Sequence, residues 1–131
     1  SSTSVGVLFF DLDGFKEVND SCGHEAANLL LSELARRLQQ RVRAQDTVAR
    51  YGGDEFVLVI SDLAFPGDMS RVLQQVQEAL AEPFQVGRQL RRVTASIGAT
   101  LYPTDGLEAE TLLKGADTRM YEQKRRLKLT S

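Results

Sequence analysis

The feature that most constrains the fold is the stretch VGVLFFDLD, residues 5 to 13, a nearly continuous run of apolar strand formers ending in two aspartates. A strand with one solvent-exposed face would alternate apolar and polar residues. The unbroken run therefore predicts a central strand covered on both faces. With 131 residues, 42% of them hydrophobic, the chain is long enough for one domain with one core.

Three stretches predict the helices that cover such a strand. Apolar residues recur at three- and four-residue spacing from about Ala26 to Val42, in a second stretch that stops before Pro83, and in a last one from Ala109 to Tyr121. TVARY and EFVLVI flank two glycines and predict a hairpin, and a smaller hairpin around Gly87 leads into a strand that PTDG breaks. This order predicts an α/β (α+β) fold, close to the ferredoxin-like plan, with helices over a mostly antiparallel sheet.

Composition narrows the function classes. Sixteen basic and eighteen acidic residues give a formal charge of -2, without the basic excess of a nucleic-acid binder. Cys22 is the single cysteine, so no internal disulfide forms, and no apolar run reaches the roughly 20 residues of a membrane helix. The opening SSTSVGVLFF has no initiator Met and does not look like a signal peptide. We expect a cytoplasmic piece of a longer protein.

Two acidic clusters follow the strand patterns. Asp11 and Asp13 end the first strand, and Asp54 and Glu55 lie in the hairpin. The predicted connectivity can bring these four carboxylates to one edge of the sheet, where protons or a divalent cation must compensate them. Mg²⁺ prefers such oxygen ligands. The alternative is that the aspartates merely begin a turn and the hairpin residues are solvated.

The turn after the first strand adds a feature suited to phosphate. In DGFK, Gly14 allows close approach to the backbone and Lys16 supplies a cation. A phosphate group could therefore lie on this turn.

Several ordered motifs carry a family resemblance. They are FFDLDGFKEVNDSCGHEAAN, RAQD, RYGGDEF, TASIGATLYPTDG and ADTRMYEQK. Together they resemble the GGDEF domain of diguanylate cyclases, and most closely the GGDEF domains of GGDEF-EAL tandem proteins. The resemblance covers almost all of residues 1–131 as a single domain, without the family's leading helix and its Asp-x-Leu-Thr-x-Leu-x-Asn-Arg motif.

The resemblance implies condensation of two GTP molecules into cyclic di-GMP with release of two pyrophosphates, on a palm-like fold of the nucleotidyl cyclase type. Each domain would bind one GTP, so two domains must face each other as a homodimer. Mg²⁺ (or Mn²⁺) would be held by Asp11, the Leu12 carbonyl and Asp54. Asp54 is also the candidate base for the attacking 3′-hydroxyl, assisted by Glu55.

The resemblance also implies the substrate contacts. Gly14, Phe15 and Lys16 would hold the β- and γ-phosphates, and Lys124 would add a second cation. Where the family often shows Gly-Arg-Asn, this chain has Leu127, Lys128 and Leu129, and Lys128 keeps a charge without a bidentate fork. The alternative is that the basic residues of this segment are favourable charges at a helix C-terminus: Lys124, Arg125, Arg126 and Lys128.

The guanine contacts depart from the family pattern. Asn19 stands at the first contact, but Asn28 replaces the usual aspartate at the second. A carboxylate accepts hydrogen bonds from both guanine donors, N1–H and the 2-amino group, whereas a carboxamide accepts one and presents its own NH₂ to the other. The alternatives are a solvated helix position for Asn28 and a helix-entry or packing role for His24.

RAQD matches the family's Arg-x-x-Asp inhibitory site, so Arg43 and Asp46 would bind the product cyclic di-GMP. The alternative is an Arg and an Asp that end a helix and start a loop.

Two functions follow: an active diguanylate cyclase, or a weak or inactive module that binds GTP or cyclic di-GMP and regulates an attached EAL phosphodiesterase or sensory domain. Asn28 favours the second.

Overall fold

The structure is a computed structural model that describes residues 4–63 and 67–130, with side chains as far as residue 127. The elements are β1 (Ser4–Leu12), α1 (Phe15–Cys22), α2 (His24–Arg41), β2 (Thr47–Gly52), β3 (Glu55–Leu63), α3 (Asp68–Ala81), β4 (Phe84–Val86), β5 (Gln89–Arg91), β6 (Ala95–Tyr102) and α4 (Ala109–Thr130). Within these ranges, we find no helix with the length and apolar character needed to cross a membrane.

The main sheet has the strand order β2-β3-β1-β6, and every pairing in it is antiparallel. β1 is an inner strand, paired with β3 on one side and β6 on the other, as its apolar run predicted. Leu8 and Phe10 belong to the core shared with α2 and α3, whereas Val7 and Phe9 pack with residues of α4. Helices therefore cover both faces of β1, and the predicted ferredoxin-like arrangement is confirmed.

One helix of the structure was not predicted from the sequence. α1 spans Phe15–Cys22, in the segment interpreted as a turn, and follows Gly14, which has a φ of 72°. Its apolar side is short: Val18 is buried, and Phe15 and Cys22 are partly buried against the core. This three- and four-residue spacing extends over only eight residues and was not recognised as a helix. The small hairpin is present as β4 and β5, with Gly87 at a φ of 62° in its turn.

α4 crosses β6 at unusually short distance because residue 98 is glycine. A Cβ atom on Gly98 would lie 2.0 Å from the Ala116 carbonyl oxygen and 2.3 Å from the Met120 nitrogen. These are backbone atoms of α4, so no side-chain rotation could relieve the clash. The helix reaches its position over β1 and β6 only with glycine at this site.

We expect Gly98→Ala to push α4 away from the sheet and to lower the free energy of unfolding by about 1 to 3 kcal/mol, the usual cost of overpacking. Urea unfolding measures this change. Gly67→Ala is the matched control, because none of the described residues lies within 4 Å of its added Cβ and its φ is -64°. Equal stability of the two variants would contradict the tight crossing.

Candidate functional site

The carboxylates of β1 and of the β2–β3 hairpin lie at one edge of the sheet. In the strand register Asp11 is opposite Glu55 on one side and Ser96 on the other. Glu55 is also opposite Gly52, so the hairpin turns through Gly53 and Asp54 beside Asp11. The prediction that the two acidic clusters become neighbours is confirmed.

Lys124 of α4 reaches this edge and binds Asp11. Its Nζ atom donates to Asp11 Oδ1 at 2.8 Å. Asp11 is buried, and this burial raises the pKa of its carboxyl; the bond to Lys124 lowers it, while the charges of Asp54 and Asp13 raise it further. Among the described residues, Lys124 is the only cation hydrogen-bonded to Asp11. It is also the lysine for which the family resemblance predicted a contact with the substrate phosphates.

The pKa of Lys124 responds in the opposite sense. Burial lowers this pKa, but the hydrogen bond to Asp11 and the charges of Asp11, Asp13 and Asp54 outweigh it, and the net pKa is raised. Lys124 therefore stays protonated beside the acidic edge. Lys128, the further α4 lysine among the predicted substrate contacts, has a side chain outside the described part of the structure.

Glu55 is a carboxyl with few compensating charges. Burial raises its pKa, and Asp117, Asp11 and Asp54 raise it further, against a smaller lowering by Lys124. Asp117 was not predicted at this site. Its position seven residues before Lys124 places both on one face of α4, and that spacing is the signal that would have found it.

Asp13 serves a different purpose from Asp11. Its carboxylate accepts hydrogen bonds from the Thr94 hydroxyl at 2.8 Å and the Ser96 hydroxyl at 2.7 Å, which join the end of β1 to β6.

In residues 4–63 and 67–130 no group of three or more His, Cys, Asp or Glu side chains converges to hold a metal ion. The four carboxylates therefore share one edge of the sheet without three of them converging on one point, and their charges still interact.

The remaining donors have the chemistry of a magnesium site. Asp11 and Asp54 are two carboxylates at one edge of the sheet. The Leu12 carbonyl follows Asp11 at the end of β1. Mg²⁺ is usually held by one or two carboxylates together with substrate phosphates and water, rather than by a complete cage of protein ligands. The residues present fit that ion.

The start of α1 offers backbone donors beside this edge. Gly14 precedes the helix in the left-handed region, and no side chain caps the first turn. The first amide groups of a helix lack partners inside it and attract anions. Lys16 is exposed in the same turn, and Gly14, Lys16, Glu17, Asp20 and Ser21 line an open groove.

The two asparagines assigned to guanine differ in environment. Asn19 is half-buried, and its Oδ1 atom is shielded from solvent and has no hydrogen-bond partner within the described residues. Asn28 lies exposed on α2, as either interpretation requires. His24 is the first residue of α2 and is also exposed, which fits helix entry and not packing. Of the two asparagines, Asn19 therefore has the solvent-shielded acceptor that a ligand donor would satisfy.

Arg43 and Asp46 bind each other and β3. Two guanidinium nitrogens of Arg43 donate to the Asp46 carboxylate at 3.2 and 3.1 Å, and one of them also donates to the Ser61 carbonyl. The Ser61 amide donates to Asp46 Oδ1 at 3.2 Å. Between Ser4 and Gly6 the β1–β3 register shifts, so Ser61 and Asp62 together face Val5. This pair of side chains therefore satisfies backbone groups at a bulge in β3.

The fold and the site define an α/β domain with a ferredoxin-like sheet and an acidic, lysine-containing edge suited to nucleotide phosphates. Residues 1–128 match the family described as "Diguanylate cyclase, GGDEF domain". The chain therefore belongs to the GGDEF domain family of diguanylate cyclases.

Relatives agree with this membership. The chain is 48% identical over 118 residues to the bifunctional diguanylate cyclase/cyclic di-GMP phosphodiesterase MucR of Pseudomonas aeruginosa, covering 90% of this chain and 17% of MucR. It is 38% identical over 120 residues to the cyclic di-GMP phosphodiesterase NbdA of the same organism, covering 92% of this chain and 15% of NbdA. The chain thus spans less than a fifth of these relatives.

A solved structure has the same fold. The structure of the GGDEF domain of TpbB (YfiN) from Pseudomonas aeruginosa superimposes with a TM-score of 0.90 at 35% identity, covering 95% of this chain and 73% of that one. The likeness therefore extends over nearly the whole of this chain.

The Arg43–Asp46 pair predicts a pH dependence. Burial raises the pKa of Asp46, but the bonds from Arg43 and from the Ser61 amide outweigh it, and the net pKa lies below the usual value. A carboxyl with a lowered pKa contributes stability above its unfolded pKa and loses that contribution as pH falls through its folded pKa. Asp46→Asn should therefore cost about 1.5 to 3 kcal/mol at pH 7.

Urea unfolding of both proteins, at pH 7 and at decreasing pH below the unfolded pKa, tests this expectation. The difference between the original protein and Asp46→Asn should shrink as pH falls. Asp20→Asn, on the exposed face of α1, is the matched control. A difference that stays constant with pH would show that the Asp46 charge does not stabilise the bulge.

Proposed function

We propose that this domain is a diguanylate cyclase that condenses two GTP molecules into cyclic di-GMP and two pyrophosphates, with slow turnover because Asn28 replaces an aspartate. The observation that carries the proposal is the meeting of Asp11, Lys124 and the Gly53–Asp54 turn at one edge of the sheet. Two facing domains, each with one GTP, would complete the reaction.

The acidic edge supplies the groups for the chemistry. Asp11, the Leu12 carbonyl and Asp54 would hold Mg²⁺ or Mn²⁺. A bound divalent cation would stabilise negative charge on the attacked α-phosphate. The Asp54 carboxylate is the candidate to take the proton from the attacking 3′-hydroxyl. Glu55, whose pKa is raised by burial and by Asp117, is placed beside it to assist.

The phosphates would lie between α1 and α4. The amides at Gly14, Phe15 and Lys16 face an anion at the start of α1, where no side chain competes for them. The Lys124 ammonium group would turn from Asp11 towards the phosphates. Lys128 would supply a further cation from α4. Positive groups on two elements would then balance the triphosphate.

The base would be recognised by the two asparagines. Asn19 Oδ1 is an unpartnered acceptor suited to a guanine donor. The amide of Asn28 accepts one hydrogen bond from guanine and sets its own NH₂ against the second donor. A mismatched polar group of this kind costs about 1 to 3 kcal/mol, roughly tenfold to a hundredfold in affinity.

A second candidate follows from Asn28: a weak or inactive module that binds GTP or cyclic di-GMP and regulates an attached EAL phosphodiesterase. MucR and NbdA, which this chain resembles along its length, are described as a bifunctional cyclase/phosphodiesterase and as a phosphodiesterase. In either case we place residues 1–131 as a single GGDEF domain of a longer protein, in the cytoplasm, where GTP is available.

Incubation of the full-length protein with GTP and Mg²⁺, followed by chromatography, tests the cyclase. We expect slow formation of cyclic di-GMP, and faster formation by Asn28→Asp, by about tenfold or more, because a carboxylate accepts both guanine donors. Gln40→Glu adds the same charge at an exposed position of α2 and should change little.

Two outcomes separate the candidates. Product from Asn28→Asp alone would favour the regulatory module, because the rest of the machinery would then be competent. No product from either protein, although both bind GTP, would contradict the cyclase.

Calorimetry with cyclic di-GMP tests the inhibitory site. Binding should be lost in Arg43→Ala, because the guanidinium fork supplies the charge that meets a phosphate or a guanine edge. Arg36→Ala is the matched control, since Arg36 is exposed on α2 and pairs with Glu33. Unchanged binding in Arg43→Ala would show that Arg43 and Asp46 stabilise the bulge of β3 and do not form a site for cyclic di-GMP.

A further inference from the structure

Three side chains bind the outward backbone groups of the edge strand β6. The Leu101 amide donates to Asp105 Oδ2 at 2.8 Å, Arg119 Nη1 donates to the Ala99 carbonyl at 2.6 Å, and the Ile97 amide donates to Gln123 Oε1 at 2.5 Å. We call Asp105, Arg119 and Gln123 the edge ladder. Its backbone partners are alternate residues, as expected for groups that face away from β1.

The edge ladder fixes α4 along the strand. Outward N–H and C=O groups of an edge strand need partners, and here two residues of α4 supply them four positions apart on one flank of the helix. Arg119 is further held by an ion pair to Asp105 at 3.1 Å. The helix is thus attached to β6 by directional bonds in addition to its apolar face.

Gln123 closes a ring of contacts around the candidate site. Asp11 is opposite Ser96 in the register, and the next residue, Ile97, bonds Gln123. The residue after Gln123 is Lys124, whose Nζ returns to Asp11 at 2.8 Å. Every step of this ring is a peptide bond, a strand pairing or a hydrogen bond, so movement of Gln123 displaces Lys124.

We propose that Gln123 is a positioning residue for the nucleotide site: through the Ile97 amide it holds Lys124 beside Asp11, within reach of the nucleotide phosphates. This role rests on the proposed function. A lysine side chain has four flexible carbons and loses rotamer entropy when it is fixed. An anchor at the adjacent residue limits the positions that its ammonium group can reach.

The first test needs no nucleotide. Lysine acylation, followed by mass spectrometry of the full-length protein, reports how accessible Lys124 is, with Lys114 of the same helix as internal reference. Gln123→Met removes the acceptor at nearly constant length, and we expect about fivefold faster labelling of Lys124, as for the loss of one hydrogen bond. Gln123→Glu keeps an acceptor and should restore the original rate.

The matched control is Gln85→Met, which removes the bond from Gln85 Nε2 to the Gly87 carbonyl in the β4–β5 hairpin. Gln123 is exposed, so its substitution leaves the core intact, and urea unfolding of each variant checks this. Gln123→Ala is the second variant should Gln123→Met unfold. Unchanged labelling of Lys124 in the variant that folds would overturn the proposal.

The second test measures the affinity for a non-hydrolysable GTP analogue with Mg²⁺ by calorimetry. We expect about fivefold weaker binding by Gln123→Met, on the same hydrogen-bond scale, and near-original binding by Gln123→Glu and Gln85→Met. Faster labelling without weaker binding would overturn the positioning role. If the unsubstituted protein itself binds no GTP analogue, the proposed function fails, and labelling alone decides whether Gln123 holds Lys124.

Discussion

The contact between Asp11 and Lys124 is the interaction on which the site depends. A carboxylate at the end of an inner strand is shielded from water, and without a cation its charge would be costly to bury. Lys124 supplies that cation from the last helix, 113 positions further along the chain. This requires α4 to lie across β1 and β6, and the glycine at position 98 allows the helix to come close enough.

Around this pair the acidic charge exceeds the basic charge. Glu55, Asp117 and Asp54 add carboxylates to Asp11, and the raised pKa values of Asp11 and Glu55 record burial together with that repulsion. Such an edge is suited to bring a divalent cation and a triphosphate together, because each compensates the other's charge. In the proposed function, the hairpin with its two glycines would position the metal chemistry, whereas Asn28, on another element, would set how well guanine binds.

Regular elements could be predicted from the sequence because their periodicity is local. The apolar run of β1, the glycines of the β2–β3 hairpin and the stripes of three helices each lie within one stretch of chain. α1 was not predicted, because its apolar side consists only of Val18 and the partly buried Phe15 and Cys22, too short a pattern to stand out. Contacts between distant residues left no local signal: the guanidinium of Arg37 binds the Ala79, Glu82 and Pro83 carbonyls at the end of α3. The link between Gln123 and Ile97 is of the same kind.

A double-mutant cycle on the free energy of unfolding tests the Asp11–Lys124 interaction most directly, with Asp11→Asn, Lys124→Met and the double variant. Removal of either partner leaves the other charged group partly buried without compensation, so the two losses should not add. We predict a coupling energy of about 1 to 3 kcal/mol between the two positions. Losses that add to within about 0.5 kcal/mol would show that the two side chains do not interact, and would contradict the account.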